Sequence, residues 1–408
     1  MIQLAYRELT RLRIFSDTMG KAKIVLILIV FTKALLCTAL SSYAQSDLQT
    51  ETDFHLHLKK MLQMEDERFP TGVVPSYIFR NRKHSKGKPD QNIYFTALSV
   101  FTLRTLLPLL DSQLQDLIQD FIDRTNKSYV HYQNATGRPT YNFWRTDTAF
   151  IYPFARWLKP FLKHPDLADD MDDTVMALFA MGAPDSVAQQ VHAIMQNYVN
   201  GVEKRVRGTP AAYRNIHAYS TWFGKKFPVI FDVCVSTNQL LFIDHYNLEW
   251  TSADSATLQF VMQVLANDDH RKRPRRVSPY YERTPIILYH LARLSTTSGI
   301  PDLSEIKEKV VMDIYAELTQ SKNLMEKVIL CTSLFRLGDY SHKLSTVERL
   351  NLIGQLDKPL LPFFVSNFST YFPNILRDPF SLTGWMKFDH YCPLYQHILW
   401  LEYLTLEQ

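Results

Sequence analysis

Residues 167–182 read LADDMDDTVMALFAMG. The second half is almost entirely apolar, and its spacing predicts a buried helix. Asp169, Asp170, Asp172 and Asp173 precede it within five positions. Acidic residues are favoured in a first helical turn, because free N–H groups and the helix dipole attract negative charge. The stretch therefore predicts a helix that begins near Asp169 and places Asp169, Asp172 and Asp173 on one side.

The same helical periodicity recurs along most of the chain. Pro and Gly cluster between the periodic segments, and no segment shows enough alternation to predict a sheet. We therefore expect an all-α protein. Apolar residues at spacings of three and four also mark residues 93–110, 117–132, 185–205, 231–246, 255–268, 285–297, 303–320, 324–338 and 392–406.

So many apolar helix faces need a closed arrangement to be buried. Paired helices wound into a barrel, an α/α toroid, would bury them and would gather helix N-termini and loops at one end. A solenoid is the alternative, but the chain shows no fixed repeat of the length that solenoids use. We expect one toroid domain over residues 45–408, with residues 54–69 as a packing helix at its edge.

The N-terminal residues 1–44 resemble an export signal. Lys21 and Lys23 precede a long apolar run, and the segment SSYAQ follows, with Ser42 and Ala44 placed for cleavage after Ala44. This pattern predicts a secreted or periplasmic protein. The alternative is an uncleaved leader that anchors the chain in a membrane.

Charge and cysteine content narrow the class of protein. The chain has 45 Lys and Arg residues, of which six precede residue 45, and 41 Asp and Glu residues, of which two do. Residues 45–408 therefore carry 39 basic and 39 acidic residues. This balance does not indicate a nucleic-acid partner. Cys234, Cys331 and Cys392 are too few to be a disulfide framework, and we expect the first two to be core residues.

The four aspartates also suggest a chemical role beyond helix capping. Crowded carboxylates repel one another, and the repulsion favours the protonated form of one of them. A protonated carboxyl group is a general acid. The same oxygens could hold a divalent cation. A purely structural acidic first turn is the alternative.

The segment from Asp170 through Asp172 and Asp173 to Thr174 resembles the D-x-D-D-T signature of class II terpene cyclases, the squalene–hopene and diterpene cyclase superfamily. The resemblance implies an α/α toroid, an isoprenoid substrate and no cofactor. It implies that Asp172 protonates an alkene or epoxide, with Asp170 and Asp173 orienting it. The segment FDVCVSTNQLLFI, which contains Asp232 and Asn238, resembles inner-helix sequences of uncharacterised toroid proteins.

A second candidate site lies in residues 213–227. Asn215, His217, Tyr219 and Trp222 alternate polar and aromatic side chains there, similar to the Asn-His-Tyr text of α/α-toroid polysaccharide lyases. In such a site His217 would be a base and Tyr219 an acid, with Asn215 or Arg214 neutralising a substrate carboxylate. A hydrogen-bonded wall is the structural alternative.

Further residues are candidates for substrate binding. Trp144 and Arg145 lie in an aromatic stretch whose rings could face a carbocation or a sugar. Tyr280 and Tyr281 follow the basic run 270–276, which suits a diphosphate or a polyanionic glycan. Aromatic packing and a solvated loop are the respective alternatives.

These observations give three functional hypotheses. The first is a terpene cyclase-like enzyme with Asp172 as general acid, and the second is a secreted carbohydrate-active enzyme that uses His217 and Tyr219. The third is a non-catalytic envelope protein with a toroid fold. The expected partners are an isoprenoid or a polysaccharide, with no nucleic acid and with membrane contact only through an uncleaved leader.

Overall fold

The computed structural model describes residues 54–80, 87–148, 168–224, 227–300, 303–367 and 387–408. The chain divides into two units, Met1–Lys59 and Lys60–Gln408. In the first unit the described residues 54–59 are helical. The predicted leader, residues 1–44, and the predicted cleavage site lie outside the described residues.

No helix within the described ranges has the length and hydropathy that a membrane span requires.

The larger unit is mostly helical, as the periodicity predicts. Its described helices are α1 Tyr94–Leu106, α2 Ser112–Asn126, α3 Met171–Met181, α4 Asp185–Met195, α5 Val233–His245, α6 Ser252–Ala266, α7 Asp269–Lys272, α8 Pro274–Val277, α9 Thr284–Leu294, α10 Leu303–Gln320, α11 Leu324–Arg336, α12 Thr346–Ile353 and α13 Pro393–Leu406.

Six of these helices contact one another in a closed cycle. Helix α1 packs on α3, α3 on α5, α5 on α9, α9 on α11, α11 on α13, and α13 on α1. Most residues of each are buried on every side, as expected for helices surrounded by protein. Helix α2 is amphipathic and packs on α1 and α3, while α6 packs on α5 and α10 on α9 and α11.

A small antiparallel sheet corrects the prediction of an all-α fold. Strands β1 Tyr77–Phe79, β2 Lys88–Pro89, β3 Phe364–Asn367 and β4 Lys387–Tyr391 pair in the order β2-β1-β4-β3. Each strand has between two and five residues, too few to produce a readable alternation. The sheet joins segments about 300 residues apart in sequence, with Ile78 opposite His390.

Helix α3 begins at Met171, two residues later than predicted. The backbone N–H of Asp170 donates to Tyr141 O (3.0 Å), and that of Met171 donates to Thr221 O (2.8 Å). This pairing holds Asp170 extended, so it becomes the N-cap. Asp169 therefore lies outside the helix and does not share a helical face with the other aspartates.

Candidate functional site

A cavity of about 90 Å³ opens at the N-terminal ends of α1, α3 and α5. Its volume holds several waters or one end of a small apolar molecule. Seven of its fourteen lining residues are aromatic, and three are aspartates of the D-x-D-D segment. The lining residues are Tyr94, Phe143, Trp144, Asp170, Asp172, Asp173, Thr221, Trp222, Val235, Tyr280, Tyr281, Phe364, Val365 and Ser366.

Asp170 acts as a cap as well as a cavity residue. Its Oδ1 accepts the backbone N–H groups of Asp172 at 2.6 Å and Asp173 at 3.3 Å. Those bonds stabilise a negative charge, but burial and the nearby charge of Asp172 raise the pKa of Asp170 well above its usual range. The cap thus fixes the first turn of α3 and turns the two following carboxyl groups toward the cavity.

Asp172 accepts a hydrogen bond on each carboxyl oxygen. Asn238 of α5 donates its Nδ2–H to Oδ1 at 2.7 Å, and the Tyr281 hydroxyl donates to Oδ2. Arg293 of α9 donates to the Oδ1 of Asn238, and Tyr94 contacts Tyr281 through their hydroxyl groups. Burial raises the pKa of Asp172, but the bonds from Tyr281 and Asn238 oppose that rise. The pKa of Asp172 is raised overall, but these contacts keep it from rising as far as the pKa values of Asp170 and Asp173.

Asp173 has the opposite environment. Its side chain is 2% exposed, and within the described ranges its Oδ1 has no hydrogen-bond partner. Burial, followed by the charges of Asp170 and Asp172, raises the pKa of Asp173 well above its usual range. Burial without a partner for Oδ1 therefore favours the protonated form of Asp173.

Asp232 lies behind the cavity wall. It caps α5 by accepting from Cys234 N at 2.9 Å, and it also accepts from the Ser278 hydroxyl at 2.6 Å and from Tyr280 N at 2.9 Å. Burial raises the pKa of Asp232 to about 7. The residue therefore anchors the segment that carries Tyr280 and Tyr281, the second of which contacts Asp172.

Asp169 is a structural residue that does not line the cavity. Its Oδ2 accepts from Arg138 Nη2 and Asn134 Nδ2, each at 2.6 Å, and from the Thr140 hydroxyl. The carboxylate is 4% exposed. Its ion pair holds the segment before α3 against residues 134–140, so the first of the four aspartates is separated from the other three.

The structure separates the residues of the second candidate site. Asn215 and His217 are exposed, whereas Tyr219 is buried. The Tyr219 hydroxyl donates to Asp254 Oδ1 at 2.6 Å, and Asp254 also contacts His192 Nε2 at 3.1 Å. None of these five residues lines the aromatic cavity.

The predicted substrate-binding residues divide between cavity and surface. Trp144, Trp222, Tyr280 and Tyr281 line the cavity, and Trp222 Nε1 donates to the Tyr280 hydroxyl at 3.2 Å. Arg145 instead forms an exposed ion pair in which its Nε donates to Asp147 at 2.8 Å.

The basic run 270–276 is largely committed to ion pairs. His270 is fully buried and contacts Asp313 at 2.9 Å, while Arg273 pairs with Asp269 at 2.8 Å. The first contact ties α7 to α10, and the second ties Arg273 back to the first residue of α7. Structural ion pairs therefore account for these basic residues.

Several cavity residues carried no signal that sequence reasoning could use. Tyr94 lies in an ordinary apolar helix, and Phe143 precedes Trp144 in an aromatic stretch. Phe364 and Ser366 belong to a strand too short to predict. Their convergence depends on pairing between β3 and β4, which joins distant parts of the chain.

A divalent cation needs several oxygens that converge on one point. Across the described ranges, the carboxylates of Asp170, Asp172 and Asp173 do not bring three ligand atoms within 4.8 Å of one another.

No protein-family model, curated protein or solved structure shows a significant match to this chain.

Proposed function

We propose that this protein is a terpene cyclase-like enzyme that protonates an unsaturated isoprenoid in its aromatic cavity. The observation that carries the proposal is Asp173, a buried carboxyl group whose Oδ1 has no hydrogen-bond partner among the described residues, placed beside two other carboxyl groups and facing aromatic rings. In this assignment Asp173 is the proton donor. Asp172, to which the D-x-D-D resemblance gives that role, is its ionised neighbour.

The chemistry requires a carboxyl group that is still protonated when the substrate binds and a surface that tolerates positive charge. Asp173 would transfer its proton to an alkene carbon, leaving a carboxylate on the enzyme and a cation on the substrate. Aromatic faces stabilise a cation by about 0.5–2 kcal/mol each, and the negative charge of Asp172 adds to them. The cation then loses a proton to water. A proton from water returns to Asp173, which completes an isomerisation.

We also infer that the six helices in closed contact are the inner ring of an α/α toroid. The support is the cycle from α1 through α3, α5, α9, α11 and α13 back to α1, together with the burial of these helices on all sides. The cavity at one end of α1, α3 and α5 fits such a ring, and its size suits the reacting end of a short isoprenoid.

The test is turnover of a panel of polyprenyl alcohols, diphosphates and epoxides in D₂O, with acidic polysaccharides as a parallel panel. We expect one deuterium at a carbon of an isoprenoid product. Asp173→Asn removes the acidic proton and should reduce the rate by at least about 100-fold.

The matched control is Asp111→Asn. Asp111 caps α2 by accepting from Leu114 N at 3.0 Å, far from the cavity lining, and Asn caps as well as Asp. This variant should keep full activity. Polysaccharide cleavage by the wild type, or isoprenoid turnover that survives Asp173→Asn, contradicts the proposal.

A further inference from the structure

A second reactive arrangement borders the same cavity on its sheet side. Ser366 Oγ lies 2.7 Å from His390 Nε2, and His390 Nδ1 lies 3.0 Å from Asp90 Oδ2. These three residues form a continuous serine–histidine–carboxylate chain. The acid chemistry proposed above uses none of them.

The sheet explains why the three side chains meet. Ser366 on β3 is paired with Phe388 on β4, so His390, two residues further along, projects from the same face diagonally to the serine. His390 is also opposite Ile78 of β1, and Asp90 follows β2 at the edge of the same sheet. Only the serine reaches the cavity lining.

The hydrogen bonds select one histidine tautomer. Asp90 is fully buried and also accepts from Trp144 Nε1 at 2.9 Å and Asn92 Nδ2 at 2.8 Å. Both Asp90 oxygens thus act as acceptors, and Oδ2 accepts the Nδ1–H of His390. The Nε2 atom of His390 is then free to accept the Ser366 proton, as a general base must.

The surrounding residues keep the imidazole in place. His390 is fully buried and stacks on Phe364 with ring centres 4.5 Å apart, and the edge of Phe143 meets it at 5.6 Å. A serine that merely tied β3 to β4 would not need to face a cavity. Ser366, however, is partly exposed and lines the cavity.

We propose that Ser366, His390 and Asp90 form a nucleophilic triad that hydrolyses small apolar carboxylic esters bound in the cavity. Ser366 Oγ bonds to the carbonyl carbon while its proton passes to His390. The ester C–O bond breaks, and the alcohol leaves with that proton. Water then gives a proton to His390 and its oxygen to the acyl carbon, which releases the carboxylic acid and restores Ser366.

The test is covalent labelling with an alkyl fluorophosphonate, followed by peptide mass spectrometry. In labelling, the Ser366 oxygen bonds to phosphorus and fluoride departs, so the mass of the Ser366 peptide rises by the phosphonyl group. We expect Ser366→Ala to abolish labelling. We expect His390→Gln to slow labelling, and p-nitrophenyl butyrate hydrolysis, by at least about 100-fold.

The matched control is Ser341→Ala, because Ser341 has a hydroxyl that donates to Asp339 at 2.7 Å and lies far from the triad in the chain. It should label like the wild type. Circular dichroism verifies that each variant is folded. If His390→Gln does not fold, the labelling of Ser366→Ala decides the test. Folded wild-type protein that stays unlabelled, or that labels at another serine, overturns the proposal. Labelling needs no isoprenoid, so this result is independent of the cyclase assay.

Discussion

At the scale of single residues, adjacent aspartates have opposite roles. Asp169 accepts from three donors, one of them the cation Arg138, whereas Asp173 Oδ1 has no hydrogen-bond partner in the part of the chain that the structure describes. Sequence spacing could predict that carboxyl groups crowd this segment. It could not predict which one loses its partners, because the Arg138 that pairs with Asp169 is supplied by a loop about 30 residues earlier.

Asp173→Asn should stabilise the fold while it removes activity. Burial raises the pKa of Asp173 in the folded protein well above that of the unfolded chain, about 4, so the wild type loses stability as pH rises above that value. Asp173→Asn has no carboxyl group to titrate at this position, so its free energy of unfolding does not fall in this way. Its advantage should grow by about 1.4 kcal/mol per pH unit while the folded carboxyl group stays neutral. Urea unfolding between pH 5 and pH 8 measures it.

The neighbouring substitution Asp169→Asn should have the opposite effect. It leaves Arg138 without its buried partner, and we expect a loss of about 2–3 kcal/mol at pH 7, since Arg138 is partly exposed. The same urea series measures both variants. Equal effects from the two substitutions would contradict the assignment of different roles.

Asp232 provides a second pH dependence with a definite limit. Its folded pKa of about 7 lies above the ordinary value of 3.8, so the folded state binds more protons between these limits. The stability of Asp232→Asn relative to the wild type should therefore rise by about 2–3 kcal/mol from pH 5 to pH 7, by a few tenths of a kcal/mol more to about pH 8, and no further above that. Comparison with the variant is needed because His290, whose pKa burial lowers to about 3, acts in the opposite sense. A gain that continues to pH 9 would show a different folded pKa.

At the scale of elements, the helices were predictable and the sheet was not. The bounds of α10 agree with the predicted residues 303–320, and the other predicted helices agree within a few residues at most ends. Helix periodicity is local, so the sequence carries it directly. Pairing between β1 and β4 is not local, and strands this short have no pattern of their own.

The C-terminal end of α3 offers a test at this scale. Gly182 adopts φ +61°, where residues other than glycine are strained, and a Cβ atom there would meet nothing closer than Arg104 at 3.9 Å. Gly182→Ala should therefore cost about 1 kcal/mol from the backbone alone. Gly354→Ala is the control, because Gly354 has an ordinary helical φ of −65°. Equal unfolding free energies for the two variants would contradict this reading of the helix end.

At the scale of the whole molecule, buried ion pairs connect the helices of the cycle. Glu402 of α13 is fully buried, accepts from the Tyr289 hydroxyl of α9 at 2.7 Å, and pairs with Arg336 of α11. One carboxylate thus links three of the six helices. The sequence placed these residues on apolar helices but could not show that their faces meet.

Glu402→Gln should destabilise the entire cycle. The substitution leaves Arg336 buried without its counter-charge, and we expect a loss of about 3 kcal/mol in urea unfolding. Glu348→Gln is the control, because the pair of Glu348 with Lys327 is partly exposed and should contribute less than about 1 kcal/mol. A loss confined to local fraying, detected by hydrogen exchange in α13 alone, would contradict a cooperative ring.

The proposed chemistry requires that Asp173 carries a proton at neutral pH. Infrared spectroscopy of the folded protein at pH 8, where Asp232 is mostly ionised, measures this directly through the C=O stretch of a protonated carboxyl group. We predict that the band is present in the wild type, shifts in D₂O and loses intensity in Asp173→Asn, where any remaining band comes from Asp170, whose pKa is also raised. A folded wild type without that band, or a band that Asp173→Asn leaves unchanged, would contradict the account.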